Sequence, residues 1–163
     1  MENKTPEVQQ LPERLVACVS HQGNYIGDTE LFKRLFTKVG NWAGAKGLFS
    51  AETVFLSSYV NDPCDTPLDE LKLDVCISIP EGTDVDDAEI QEKRLPGGSY
   101  VVMHAELTGP PEYETAWNLI VDWVEQSDYE RDATRPCYEL YLNNPEEHPE
   151  KHHIVEICVS VKQ

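Results

Sequence analysis

The 163-residue chain carries 13 basic against 30 acidic side chains, a formal net charge of −17, with 40% apolar and 26% charged residues. That balance describes a folded chain rather than a disordered one, and a surface that repels phosphate backbones, so direct nucleic-acid binding is not expected. No apolar run approaches the roughly 18–20 residues of a membrane-spanning helix, and the polar start "MENKTPEVQQLPE" lacks the apolar core of a signal peptide. Neither a membrane partner nor export is expected, and the cytoplasm is the expected location.

In chain order, residues 1–11 read as a loose N-terminal tail. A strand-like run, "LVACVSHQG" (15–23), ends in glycine, and a helix over about 29–43 follows. In that helix Leu31, Leu35, Val39 and Trp42 recur at helical spacing with Phe32 and Phe36 alongside, Asp28 or Thr29 can cap the start, and Gly44 and Gly47 punctuate the end. Strands then follow in "TVFLSSYV" (53–60) and in 73–79, where Leu73, Val75, Ile77 and Ile79 share one face. An acidic linker over 81–98 carries a short edge strand near 89–94 and the Gly97–Gly98 turn.

The second half, 99–163, repeats the order of the first, 12–80. It has a strand over 100–109 and a helix over about 111–126 after Pro110–Pro111, with Trp117, Ile120, Val121 and Val124 on one stripe, flanked by Leu119 and Trp123. Strands at 136–142 and 155–161 complete it, the latter with Val155, Ile157, Val159 and Val161 in phase. "YVNDP" and "DVCISI" of the first half match "YLNNP" and "EICVSV" of the second, and Tyr59 to Tyr141 and Cys76 to Cys158 are both 82 residues apart. The expected fold is a single α+β domain over 12–163, an internal duplication of a strand–helix–strand–strand module with a mainly antiparallel sheet and two principal helices.

Five cysteines (18, 64, 76, 137 and 158) form no CxxC pair; they read as reduced core residues, with Cys64 as the exposed thiol. "EEHPEKHH" (146–153) sets His148 four residues before His152, but Pro149 between them marks a solvated loop rather than a metal-binding helix. No metal and no organic cofactor is expected.

The residue that does not fit is Glu139. It stands in "PCYELYLNN" (136–144) among residues suited to a buried strand, and the repeat gives it Ser57 as counterpart, so the module itself does not require a carboxylate there. An enclosed carboxylate needs hydrogen-bond donors or a cation. Aromatic rings with one buried anion suit a flat lipophilic cation, the rings gripping its faces and the carboxylate balancing its charge. Tyr59, Tyr141, Trp117 and Tyr100 are the candidate walls, with Glu139 as the charge.

"TPLDELKLDVCISIP", "LPGGSYVVMHAELTG" and "PCYELYLNNP…HIVEICVSVK" resemble the gyrase-inhibitor-like (GyrI-like) family, which shares its domain with AraC-type effector-binding, multidrug-sensing modules. The resemblance implies the same doubled architecture with a ligand groove between the halves, and a role for Glu139 in meeting the positive charge of dyes and drugs. Three functions follow from it. The first is a stand-alone protein that binds hydrophobic cationic small molecules. The second is a hydrolase of cyclopropane-bearing DNA-alkylating compounds, with Glu139 positioning or activating water. The third is inhibition of DNA gyrase by protein contact. Binding ranks first because it needs only the aromatic groove and the carboxylate. A helix-turn-helix domain beside the effector module is not expected.

Overall fold

The computed structural model describes all of residues 1–163. In chain order the elements are β1 (Glu2–Asn3), β2 (Glu7–Leu11), β3 (Arg14–Gln22), α1 (Thr29–Ala45), β4 (Phe55–Tyr59), β5 (Lys72–Ser78), β6 (Gln91–Leu95), β7 (Gly98–Leu107), α2 (Glu112–Gln126), β8 (Cys137–Tyr141) and β9 (His153–Ser160). Two single 3-10 turns lie at Leu68–Glu70 and Pro145–Glu147. The result is α+β, with the strands paired antiparallel and two principal helices. It divides into two compact units: a first unit, Glu13–Pro96, and a second, Met1–Pro12 with Gly97–Gln163. Neither helix is long and apolar enough to cross a membrane.

In the first unit the strands run in the order β4-β5-β3-β6. The apolar phase of β5 (Leu73, Val75, Ile77) faces α1, whose Leu31, Leu35, Val39 and Ala43 are buried against it. The Asp28 carboxylate accepts from the Leu31 N–H at 3.1 Å and satisfies one of the orphan donors at the start of α1. The end comes at Gly47, whose φ of 67° lies in the left-handed region that glycine occupies without a Cβ penalty; Gly44 falls inside the helix. On the sheet's other face Asp74, 4% exposed, accepts from Ser20 Oγ at 2.5 Å and pairs with Lys93 Nζ at 2.7 Å.

One expectation about this unit is overturned. Cys18 and Cys76 are joined as a disulfide rather than held as reduced core thiols. The cause is register: β3 and β5 place these two residues directly opposite each other, with Cα atoms 4.2 Å apart, a separation that only pairing across strands produces. Cys64 is exposed and free, as expected, while Cys137 is half-buried and Cys158 buried.

The second unit repeats the connectivity. β9 lies between β8 and β7, and α2 buries Ala116, Ile120 and Val124 against Val101, Met103, Ala105, Val155, Ile157 and Val159. Trp117, Val121 and Trp123 pack at the margin of this core, whereas Leu119 is 41% exposed and lies off the stripe. The Glu112 carboxylate at the start of α2 accepts from both the N–H and the hydroxyl of Thr108, each at 2.7 Å. The expected loose tail is also corrected. β1 and β2 pair antiparallel with β7, Glu7 through Leu11 opposite Val102 through Gly98. These residues satisfy backbone groups that β7 would otherwise present as an open edge.

The two units share their registers as well as their connectivity. Ser57 pairs with Val75 in the first unit, and Glu139 pairs with Ile157 in the second.

Candidate functional site

Alternation along β8 decides where Glu139 points. Cys137 and Tyr141 pack with the α2-side core, and Glu139 is in phase with them, opposite the fully buried Ile157. The sequence therefore drives a carboxylate into the helix–sheet interface, where Glu139 is only 3% exposed.

Its two oxygens have separate donors. The Trp117 indole N–H on α2 donates to Oε1 at 3.1 Å, and the Tyr141 hydroxyl, two residues along the same strand, donates to Oε2 at 3.2 Å. Each is a charge-assisted bond, stronger than its neutral equivalent. Both donors are themselves neutral groups.

A second polar pair stands next to this one. Tyr113 lies one turn before Trp117, and its hydroxyl is 2.8 Å from His153 Nδ1, with the rings perpendicular and their centroids 5.5 Å apart. Burial, and then the negative charge of Glu139, push the Tyr113 phenol well above the usual tyrosine range. Burial lowers the pKa of His153, so its imidazole is favoured in the neutral form. Which of the two donates is set by the tautomer of the imidazole.

Trp117 and Tyr141 are brought onto Glu139 as the sequence reading requires. Tyr59 belongs to the first unit, where it is half-buried with its ring centroid 5.5 Å from that of Tyr25. Tyr100 does not join the site. It pairs with Ser160 on β7, in phase with Val102 and out of phase with Val101 and Met103, and so stands on the sheet face away from α2. There its ring packs on Tyr138 and under the Arg135 guanidinium, its hydroxyl donates to the Pro136 carbonyl at 3.0 Å, and burial above all pushes its pKa up to about 12.

Sequence reasoning missed Tyr113 and His153. A signal existed for both: Tyr113 is four residues before Trp117 on the same helical face, and His153 is in period-two phase with Val155 and Ile157. Trp42, on α1, is partly buried and packs against the core of the first unit.

Two cavities mark the second unit. One, of about 290 Å³, is lined by Asn143, Asn144, Glu147, His148, Pro149 and Ile154; the other, of about 190 Å³, by Lys4, Thr5, Glu7, Gln9, Val102, His104 and Glu156. Neither is lined by Glu139. Beside the larger cavity, His148 and His152 come together with Glu106 of β7. This is the one grouping in the second unit with the donor types of a metal site, and Pro149 does leave its histidines in a loop, as the sequence implies.

Residues 4–162 match the model of the GyrI-like small molecule binding domain, and the chain belongs to that family. It is 34% identical over 109 residues to DNA gyrase inhibitor 2 of Dickeya dadantii, covering 66% of this chain and 67% of that protein. Among solved structures it resembles the EcmrR C-terminal domain, with a TM-score of 0.79 at 15% identity over 98% of both chains. In the EcmrR–DNA complex this chain spans 57% of the EcmrR chain, with a TM-score of 0.78 at 13% identity. It also resembles SAV2435 bound to tetraphenylphosphonium, with a TM-score of 0.68 at 16% identity, covering 98% of this chain and 94% of that one. At these identities the structural likenesses show the fold.

Proposed function

We propose that the protein binds lipophilic aromatic cations, with Glu139 supplying the counter-charge and Trp117 and Tyr141 the aromatic contacts. The observation that carries this reading is the buried Glu139 carboxylate, 3% exposed, whose oxygens are held by two aromatic side chains through neutral N–H and O–H donors. An incoming cation meets a buried, oriented carboxyl group beside rings whose faces attract positive charge. The tetraphenylphosphonium bound by the fold-mate SAV2435 is a ligand of this chemical class. Tyr59 is a further candidate wall on sequence grounds.

The test is a titration with tetraphenylphosphonium followed by tryptophan emission, since the Trp117 indole is itself a donor to Glu139. Wild type and Glu139→Gln are compared at fixed ionic strength. A loss of at least about tenfold in affinity, about 1.4 kcal/mol, supports the reading. Equal, weak binding by both proteins that salt abolishes refutes it, because the acidic surface then explains all of the binding. The other two readings are separated by different assays. Ring-opened product from cyclopropane-bearing alkylators, absent with Glu139→Gln, would make the site hydrolytic. Inhibition of gyrase supercoiling that survives Glu139→Gln would place the function on the protein surface.

A further inference from the structure

We propose that Glu106, His148 and His152 form a binding site for a divalent transition-metal cation of the zinc class, distinct from the Glu139 site. The donors come from two separate parts of the second unit. Glu106 lies on β7, paired with Ile154, on the sheet face away from α2; His148 and His152 lie in the connection that leads into β9. One ligand atom from each of the three lies within 4.8 Å of the others. All three side chains are half-buried, so none is a freely waving surface group.

The individual atoms are arranged for a cation. His152 Nδ1 is 2.8 Å from Glu106 Oε2, and its Nε2 is 3.5 Å from Glu150 Oε2, so the ring lies between two carboxylates. His148 Nδ1 accepts the Glu150 backbone N–H at 3.0 Å, which fixes the orientation of its ring. The two imidazoles stack with centroids 4.8 Å apart and planes 17° from parallel. Two nitrogens and a carboxylate are a donor set suited to zinc and its neighbours, not to magnesium or calcium.

A tetrahedral ion with ligand bonds of about 2.0–2.1 Å needs donor atoms about 3.3 Å apart. The donors therefore shift on loading: the ion takes the place of the proton between His152 Nδ1 and Glu106 Oε2, and that pair opens from 2.8 Å while the wider spacings within the cluster close. The cavity of about 290 Å³ lined in part by His148 and Glu147 leaves room beside the ion for water or a small anion. The structural consequence is a clamp that fastens the 146–152 connection to β7.

The experiment is a titration of the whole protein with Zn²⁺ against a chromophoric chelator, with excess Mg²⁺ present to occupy the acidic surface. Wild type is compared with His148→Ala/His152→Ala, with Glu106→Gln, and with Glu139→Gln. One equivalent should bind to wild type and to Glu139→Gln, at least about tenfold more weakly to the other two variants. Co²⁺ should give the visible absorption of a low-coordinate nitrogen–oxygen site in wild type and lose it in the double histidine variant. The histidines lie outside the core, and Glu106→Gln preserves side-chain shape, so circular dichroism of the variants should match wild type. Absence of Zn²⁺ binding above the Mg²⁺ background, or equal binding by wild type and the double histidine variant, overturns the proposal.

Discussion

Replacing Trp117 with phenylalanine keeps an aromatic ring on α2 and removes the N–H that reaches Glu139 Oε1 at 3.1 Å. A hydrogen bond to a charged group contributes about 1.5–3 kcal/mol, and removing the donor leaves a carboxylate oxygen less well solvated inside the protein. The smaller ring adds about 1 kcal/mol of lost packing, because Trp117 is only partly buried. Trp117→Phe should therefore cost about 2.5–4 kcal/mol. In a Glu139→Gln background the lost bond is one between neutral groups, worth about 0.5–1.5 kcal/mol, so the same substitution should cost 1–2 kcal/mol less. Urea titration of the four proteins, read by far-ultraviolet circular dichroism, closes the double-mutant cycle. A coupling below about 0.5 kcal/mol, within the additivity of unconnected sites, would show that the indole does not bind the carboxylate.

Two other predictions concern stability. The Cys18–Cys76 disulfide spans a sequence separation of 58 residues, and closing a loop of that length removes about 4 kcal/mol of chain entropy from the unfolded state. Under non-reducing conditions the intact mass should be lower by two hydrogens and the urea midpoint higher than with reductant or with Cys18→Ala/Cys76→Ala; a fully reduced mass would disprove the bond. Asp132 should impose an acid limb on stability. Hydrogen bonds from the Thr134 hydroxyl and N–H, then one from Arg135, hold its pKa at about 2. Because that value is depressed from an unfolded value of about 4, the contribution is present above pH 4 and is lost as the pH falls towards 2. The melting-temperature gap between wild type and Asp132→Asn should close over that range, and a gap independent of pH would count against it.

The elements that depend on local pattern were legible in the sequence. The α1 and α2 stripes, the Asp28 cap and the period-two phases of β5 and β9 all act within one helix or one strand, and all stand where the spacing puts them. What escaped depends on pairing between segments. The tail at 1–11 is polar and has no strand signature of its own; it is ordered because β7 has an unfilled edge. Cys18 and Cys76 read singly as small apolar residues, and only the β3–β5 register sets them face to face. Tyr100 has the composition of a wall residue, but its phase on β7 turns it away from Glu139. Glu106 belongs to an unremarked alternation, and only the β7–β9 pairing brings it to His152, 46 residues further on.

The shared register of the two units separates what the fold requires from what has been added to it. At the place paired with the centre of β5 the first unit has Ser57, fully buried; at the place paired with the centre of β9 the second has Glu139, nearly so. Both strands are ordered and both positions are inside, so a hydroxyl is sufficient for this position to be buried and paired. The carboxylate must therefore be justified by something other than packing, since burying its charge costs several kcal/mol that serine does not incur. Its surroundings have changed in step: Trp117, Tyr141 and the Tyr113–His153 pair form a polar aromatic cluster on the α2 side of the second unit. In the first unit, Ala17, Leu35, Val39 and Val75 form a dry core. Local departures of this kind, present in one of two units with the same connectivity, are expected where binding rather than folding sets the residue. The ligand-binding reading rests on that asymmetry, and the Glu139→Gln titration measures it directly.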